Sequence, residues 1–170
     1  MKWINSGGGP LLCAERHVAA NWMGTKGLST NAVMGIRTDY DRACATTEYL
    51  DVVPCGAGNV LVLGDEPLQS SFVSTKLGEL FIARWGHAQV DLEDNAFLSR
   101  VLRDAFVISE GPLFQIEEGT LILFDSAPQG DEVDGEGARI EPGEYKITVE
   151  KLESKEVFNF LIHRFVNAKN

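Results

Sequence analysis

A series of short β-prone runs, each closed by turn chemistry, leaves few folds open to this chain. The clearest is Tyr145-Lys146-Ile147-Thr148-Val149-Glu150-Lys151-Leu152, which alternates apolar and polar side chains behind the turn dipeptide Pro142-Gly143. A period of two is the mark of a half-buried antiparallel strand. Tyr49 to Val53 and Val60 to Leu63 flank Pro54-Cys55-Gly56-Ala57-Gly58, which reads as a hairpin. Further strands are expected at Phe72–Ser74 (an edge), Leu80–Trp85, Leu113–Ile116, Thr120–Phe124 and Val157–Phe165. Gly7-Gly8-Gly9-Pro10 makes a sharp entry into the apolar segment Leu11-Leu12-Cys13.

Helical signals are fewer. Asp91-Leu92-Glu93-Asp94 puts acids in a first turn, where the helix dipole favours them. Leu92, Phe97, Leu98, Val101, Leu102 and Ala105 then recur at helical spacing, so a helix is expected over about 92–104. Thr38 or Asp39 caps a short helix through Cys44, and Ala14 to Asn21 suits about two turns ending near Trp22-Met23-Gly24. Eight or nine strands joined by short turns, with two to three helices, define a sheet-rich α+β class of mostly antiparallel strands in one or two packed sheets. At 170 residues the chain suits a single domain. Gly58–Pro67 echoes Gly119–Pro128: glycine, apolar residues, an acidic break, then proline. That echo suggests two similar hairpin-containing halves, about 1–90 and 105–170, joined by the helix at 92–104.

Charge narrows the partners. Acidic residues number 25 against 15 basic, a formal net charge of -10. Such a surface repels phosphate backbones and anionic membranes, and suits a cationic partner. The plainer reading is that acidity keeps the protein soluble. No apolar run approaches the roughly 18 residues of a membrane span, and Met1–Gly7 lacks a signal-peptide core. Cys13, Cys44 and Cys55 are an odd count without CxxC, as expected of reduced thiols in the cytoplasm.

Chemistry-bearing motifs are sparse. His17, His87 and His163 lie far apart, and His163 sits among apolar residues like a core histidine rather than a ligand. No G-x-S-x-G, GxGxxG or P-loop occurs. The acidic loop from Asp125 to Glu136 places Gly130 and Glu136 where a calcium-binding EF-hand loop has its glycine and last glutamate. Ala127 and Gln129 fall where carboxylates are needed, so a solvated or partner-facing loop is the better reading. No metal or cofactor is expected. Trp3, Trp22, Trp85, Tyr40, Tyr49 and Tyr145 are residue types that either fill cores or anchor interfaces.

Several segments together resemble a bacterial polymorphic-toxin immunity family, immunity protein 21. They are Trp3-Ile4-x-Ser6-Gly7-Gly8-x-Pro10-Leu11-Leu12, Trp22-Met23-Gly24 and Thr38-Asp39-Tyr40-Asp41-Arg42-Ala43-Cys44. Leu61–Pro67, Arg84-Trp85, Leu123–Ala127 and Pro142-Gly143-x-Tyr145 extend the match in order. Cys13, Ala14 and Glu15 depart from it, replacing a more apolar, proline-containing stretch. The resemblance implies a small cytoplasmic, non-enzymatic α+β protein, encoded beside a toxin, that binds the toxin domain and prevents killing of its own cell. Its W-x-G motif corresponds to Trp22, Met23 and Gly24. A basic toxin, such as a nuclease, fits the acidic surface. Candidate contacts are Asp65, Glu66, Asp131, Glu132, Asp134 and Glu136, in loops after buried strands. Trp22, Gly24, Tyr40, Arg42 and Trp85 are expected to support the fold. Arg42 would form a local ion pair with Asp39 or Asp41, worth little if exposed. The alternatives are a small hydrolase using Cys or clustered carboxylates, and a calcium-binding β-rich module at 125–136.

Overall fold

A computed structural model describes residues 2–28, 36–64, 66–76, 78–88, 94–132, 135–154 and 158–169. The chain order is β1 (Leu11–Glu15), α1 (Arg16–Ala19), α2 (Asp39–Cys44), β2 (Leu50–Cys55), β3 (Gly58–Leu63), β4 (Gln69–Ser74) and β5 (Leu80–Ala88). Then come α3 (Asp94–Asp104), β6 (Phe106–Ile116), β7 (Thr120–Asp125), a 3₁₀ turn at Gly130–Glu132, β8 (Glu136–Arg139), β9 (Gly143–Ser154) and β10 (Phe158–Asn167). The strands form two antiparallel five-stranded sheets. The first runs β2-β3-β1-β7-β8 and the second β4-β5-β10-β9-β6.

Three apolar clusters stack the layers. Between the sheets, Leu11, Cys13, Leu61, Leu63, Leu121 and Leu123 of the first meet Ile82, Phe114, Ile147, Val149 and Phe165 of the second. The outer face of the first sheet (Leu12, Ala14, Val60, Val62, Ile122, Phe124) is covered by Val18, Ala19, Trp22 and Ala43. The outer face of the second (Phe81, Ala83, Leu152, Phe160, Ile162) is covered by Val101 of α3. The order is helices, sheet, sheet, helix. A strand buried on both faces reads as an unbroken apolar run, which accounts for Leu11-Leu12-Cys13 and for β3 and β7.

Most elements stand where the local signals place them. Cys55 pairs with Gly58 across a two-residue turn, with Gly56 at φ +57°. Thr38 caps α2 in a reciprocal capping box with Asp41. Three expectations need correction. Ala14 and Glu15 are strand, not helix: they pair with Ile122 and Leu121, and α1 is only Arg16–Ala19. Sheet pairing outweighs helix propensity there, and the Glu15 carboxylate accepts the backbone N–H groups of Glu117, Glu118 and Gly119. β6 begins at Phe106, with irregularities against β9 between Val107 and Ser109 and again between Glu110 and Leu113, the second carrying it past Gly111-Pro112. Leu102 points to solvent. The start of the expected helix at 91–93 and Val157 lie outside the described residues.

The echoing runs become β3 and β7, which flank β1. Residues aligned in the echo face opposite ways: Leu61 joins the inter-sheet core and Ile122 the helix-covered face. Both sheets draw strands from before and after α3.

Candidate binding cleft and the Trp22 hub

The two sheets differ in length. Strands of the first have 4 to 6 residues, whereas β5, β10, β6 and β9 of the second have 9 to 12. At about 3.3 Å per residue the second sheet overhangs the first. Its inner face is therefore covered along part of its length and open beyond. On β9, Tyr145, Ile147 and Val149 enter the inter-sheet core, and the next inner-face positions, Lys151 and Glu153, line a cleft. On β10 and β5 the same progression leads to Leu161 and Gly86. The cleft measures about 480 Å³. Phe106 and Ile108 of β6 line it together with Tyr49, just before β2, and Glu66 and Leu68, in the connection from β3 to β4.

Two buried polar residues separate this cleft from the core. Arg84 is 1% exposed and His163 is fully buried. Arg84 Nη2 donates to the carbonyls of Leu63, at 3.4 Å, and Glu66, pinning the segment after β3 to the second sheet. His163 Nε2 lies 3.5 Å from Arg84 Nη1. Burial, then the neighbouring guanidinium, pushes the imidazole well below its ordinary range, so it is neutral at pH 7.

A second assembly centres on Trp22. Its indole Nε1 donates to the Ser126 carbonyl at 2.8 Å, and its own carbonyl accepts Gly130 N–H. Met23 N–H donates to Asp39, Tyr40 N–H to the Gly24 carbonyl, and Thr25 N–H to the Ala127 carbonyl. Gly24 sits at φ +56°, where a Cβ would fall within 2.4 Å of the Ala127 and Pro128 carbonyl oxygens. Only glycine fits both the conformation and the contact. Arg42 pairs with Asp39 at 3.0 Å and donates to the Pro54 carbonyl at 2.7 Å. Of the two acids expected as partners, Arg42 takes Asp39, and with side-chain exposures of 9% and 5% the pair does not meet the exposed condition under which it would be worth little. Asp41 instead serves the cap, and its hydrogen bonds from Thr38 hold its carboxyl below the usual range. Trp85 packs edge-on against Trp3 at 5.2 Å and beside Phe160 at 5.6 Å.

The acidic residues singled out from the sequence are dispersed. Glu66 lines the cleft. Asp131 is exposed on the 3₁₀ turn, whose Gly130 packs against Ala19 and Trp22 on another layer. Glu136 accepts from Ser71 Oγ at 3.1 Å and Phe72 N–H at 3.0 Å, tying β8 to β4. Asp65, Asp134 and the Glu132 side chain lie outside the described residues. Asp125 accepts from the N–H groups of Gly7 and Ala127. Among the described residues, no three His, Cys, Asp or Glu side chains stand together as a metal site. Cys13 and Cys55 are buried and Cys44 exposed.

Phe106, Ile108, Lys151 and Glu153 were missed as site residues. Two signals mark them. Phe106-Val107-Ile108 is a run of strand-formers, and Glu150-Lys151 breaks the period of β9. Glu150 is held from the outer face by Arg164, while Lys151 marks where the covering sheet stops.

The fold is a sheet-rich α+β sandwich whose longer sheet leaves an open cleft lined by apolar and charged side chains. The family model for immunity protein 21 matches residues 2–157, and the chain belongs to that family. Its role is thereby that of an immunity protein. No curated protein and no solved structure matches it. No helix among the described residues is long and apolar enough to cross a membrane.

Proposed function

We propose that the protein neutralises a cognate toxin domain by binding it through the open end of the sandwich and occluding its active site. Family membership over residues 2–157 carries this reading. The cleft adds what an interface core needs: Tyr49, Phe106 and Ile108 as apolar anchors, with Glu66 and Glu153 beside them. A net charge of -10 favours a basic toxin, and a nuclease, whose cleft must hold phosphates, is the natural class. Binding and occlusion require no catalytic group on this chain. Unbridged Cys13, Cys44 and Cys55 suit a cytoplasmic protein.

The test is co-expression with the product of the adjacent upstream gene, scored for growth and for a stoichiometric complex. Rescue with a tight complex supports neutralisation; growth arrest without binding sinks it. Reversing Asp131, Glu132 and Asp134 to lysine tests the other acidic loop. Unchanged affinity there removes that loop from the interface.

A further inference from the structure

An antiparallel sheet ends in edge strands whose outward N–H and C=O groups must be guarded or used. This sandwich has four edges, and three are guarded. β8 has 4 residues, β2 carries Pro54, and β4 is bridged by Ile4 at Ser70 and capped by Glu136 at Phe72 N–H. The fourth, β6, has 11 residues. Gly111 and Pro112 interrupt its second half; Phe106–Glu110 is strand throughout, with one register irregularity against β9 between Val107 and Ser109, and no strand pairs with its outer side among the described residues. Phe106, Val107 and Ile108 are 48%, 58% and 38% exposed, with no lysine among them.

Two hollows lie along that edge. The 480 Å³ cleft takes in Phe106, Ile108 and Tyr49; the next, about 200 Å³, takes in Tyr49, Ser109 and Glu110. Tyr49 is the partition between them. An edge strand with successive hollows beside it matches what an added strand requires: backbone pairing for affinity and pockets for alternate side chains.

We propose that Phe106–Glu110 receives an extended segment of the toxin domain as a sixth strand of the second sheet, with apolar side chains entering the two hollows and basic ones meeting the carboxylates around them. This deepens, and rests on, the toxin-neutralising reading. Charge selects the occupant. Glu48, Glu66, Glu110 and Glu153 surround the hollows; Lys146 pairs with Glu110 and Lys151 with Glu153, and the group as a whole keeps a net negative charge. A second copy of this chain would bring the same carboxylates face to face; a basic strand would not.

The test uses the full chain and the toxin domain encoded upstream. Phe106→Lys with Ile108→Lys removes the apolar anchors and places cations on the edge. Its affinity is expected to fall roughly a hundredfold, the loss of two anchors of modest hot-spot size. Glu48→Lys with Glu110→Lys reverses two exposed carboxylates, breaks the Glu110–Lys146 ion pair, and is expected to weaken binding roughly tenfold, with a reduced dependence on salt. Amides of Phe106–Glu110 are expected to exchange more slowly in the complex. Unchanged affinity in both variants, or unchanged exchange at 106–110, overturns the edge proposal while leaving neutralisation standing. A free chain that dimerises through this edge, with dimers lost in the lysine variant, also overturns it. If the wild-type chain itself neither rescues growth nor binds, the failure lies with the neutralising reading.

Discussion

Replacing Trp22 separates a packing role from a contact role. The side chain is fully buried among Leu12, Val60, Phe124 and their neighbours, and its indole N–H is bonded to Ser126. Trp22→Phe keeps most of the ring but leaves the Ser126 carbonyl without that donor, a cost of about 1–3 kcal/mol. Trp22→Ala adds the cavity cost of a large aromatic, about 3–5 kcal/mol, for a total of about 4–8. Domains of this kind are stable by about 5–15 kcal/mol. Trp22→Phe should therefore fold with a lowered midpoint, and Trp22→Ala should stand at or beyond the limit of folding. Urea denaturation followed by the fluorescence of Trp3 and Trp85 measures both. With a slope of about 2 kcal/mol per molar, Trp22→Phe should shift the midpoint down by about 0.5–1.5 M. Two variants within about 0.5 kcal/mol of wild type would refute the packing argument. A fully stable Trp22→Ala that has lost only toxin binding would move Trp22 to the interface.

Arg42→Ala leaves the Asp39 carboxylate buried beside Met23 N–H without its guanidinium, and should cost about 3–5 kcal/mol in the same assay. A cost under about 1 kcal/mol would show that the pair behaves as exposed. His163 is neutral when folded and titrates near 6.5 when unfolded, so unfolding takes up a proton below that pH. Its stabilising contribution is intact above pH 6.5 and is lost as pH falls towards the depressed folded value, by up to about 1.4 kcal/mol per unit. His163→Gln should flatten the stability profile over that window; an unaltered slope would assign the pH dependence elsewhere. Native alkylation followed by mass spectrometry should label Cys44 and spare Cys13 and Cys55. Burial raises both spared thiols, Cys55 to about 11. Labelling of Cys13 in the native protein would contradict its place between the sheets.

Features that depend on neighbours along the chain can be read from the residues alone. The helix cap at Thr38, the hairpin turn within Pro54–Gly58 and the alternation that makes β9 are local, and each stands in the structure. The sheet-rich class followed from them. Pairing between distant segments was decided by tertiary structure. Ala14 and Glu15 have helical neighbours, yet they complete β1 because β7 supplies their partners more than a hundred residues later. Gly111-Pro112 looks like an end to a strand, but β9 carries β6 past it through an irregularity between Glu110 and Leu113. A pair of Arg42 with Asp39 or Asp41 was legible, but which acid it takes and whether the pair is buried depend on the packing around it. The acids of the loops were legible as charges. Only the fold sends Glu66 to the cleft and engages Glu136 with β4, while Asp131 stays on another layer. The cleft itself exists because one sheet is longer than the other. That difference belongs to no segment alone; it arises when ten strands are sorted into two layers and the shorter layer leaves part of the longer one uncovered.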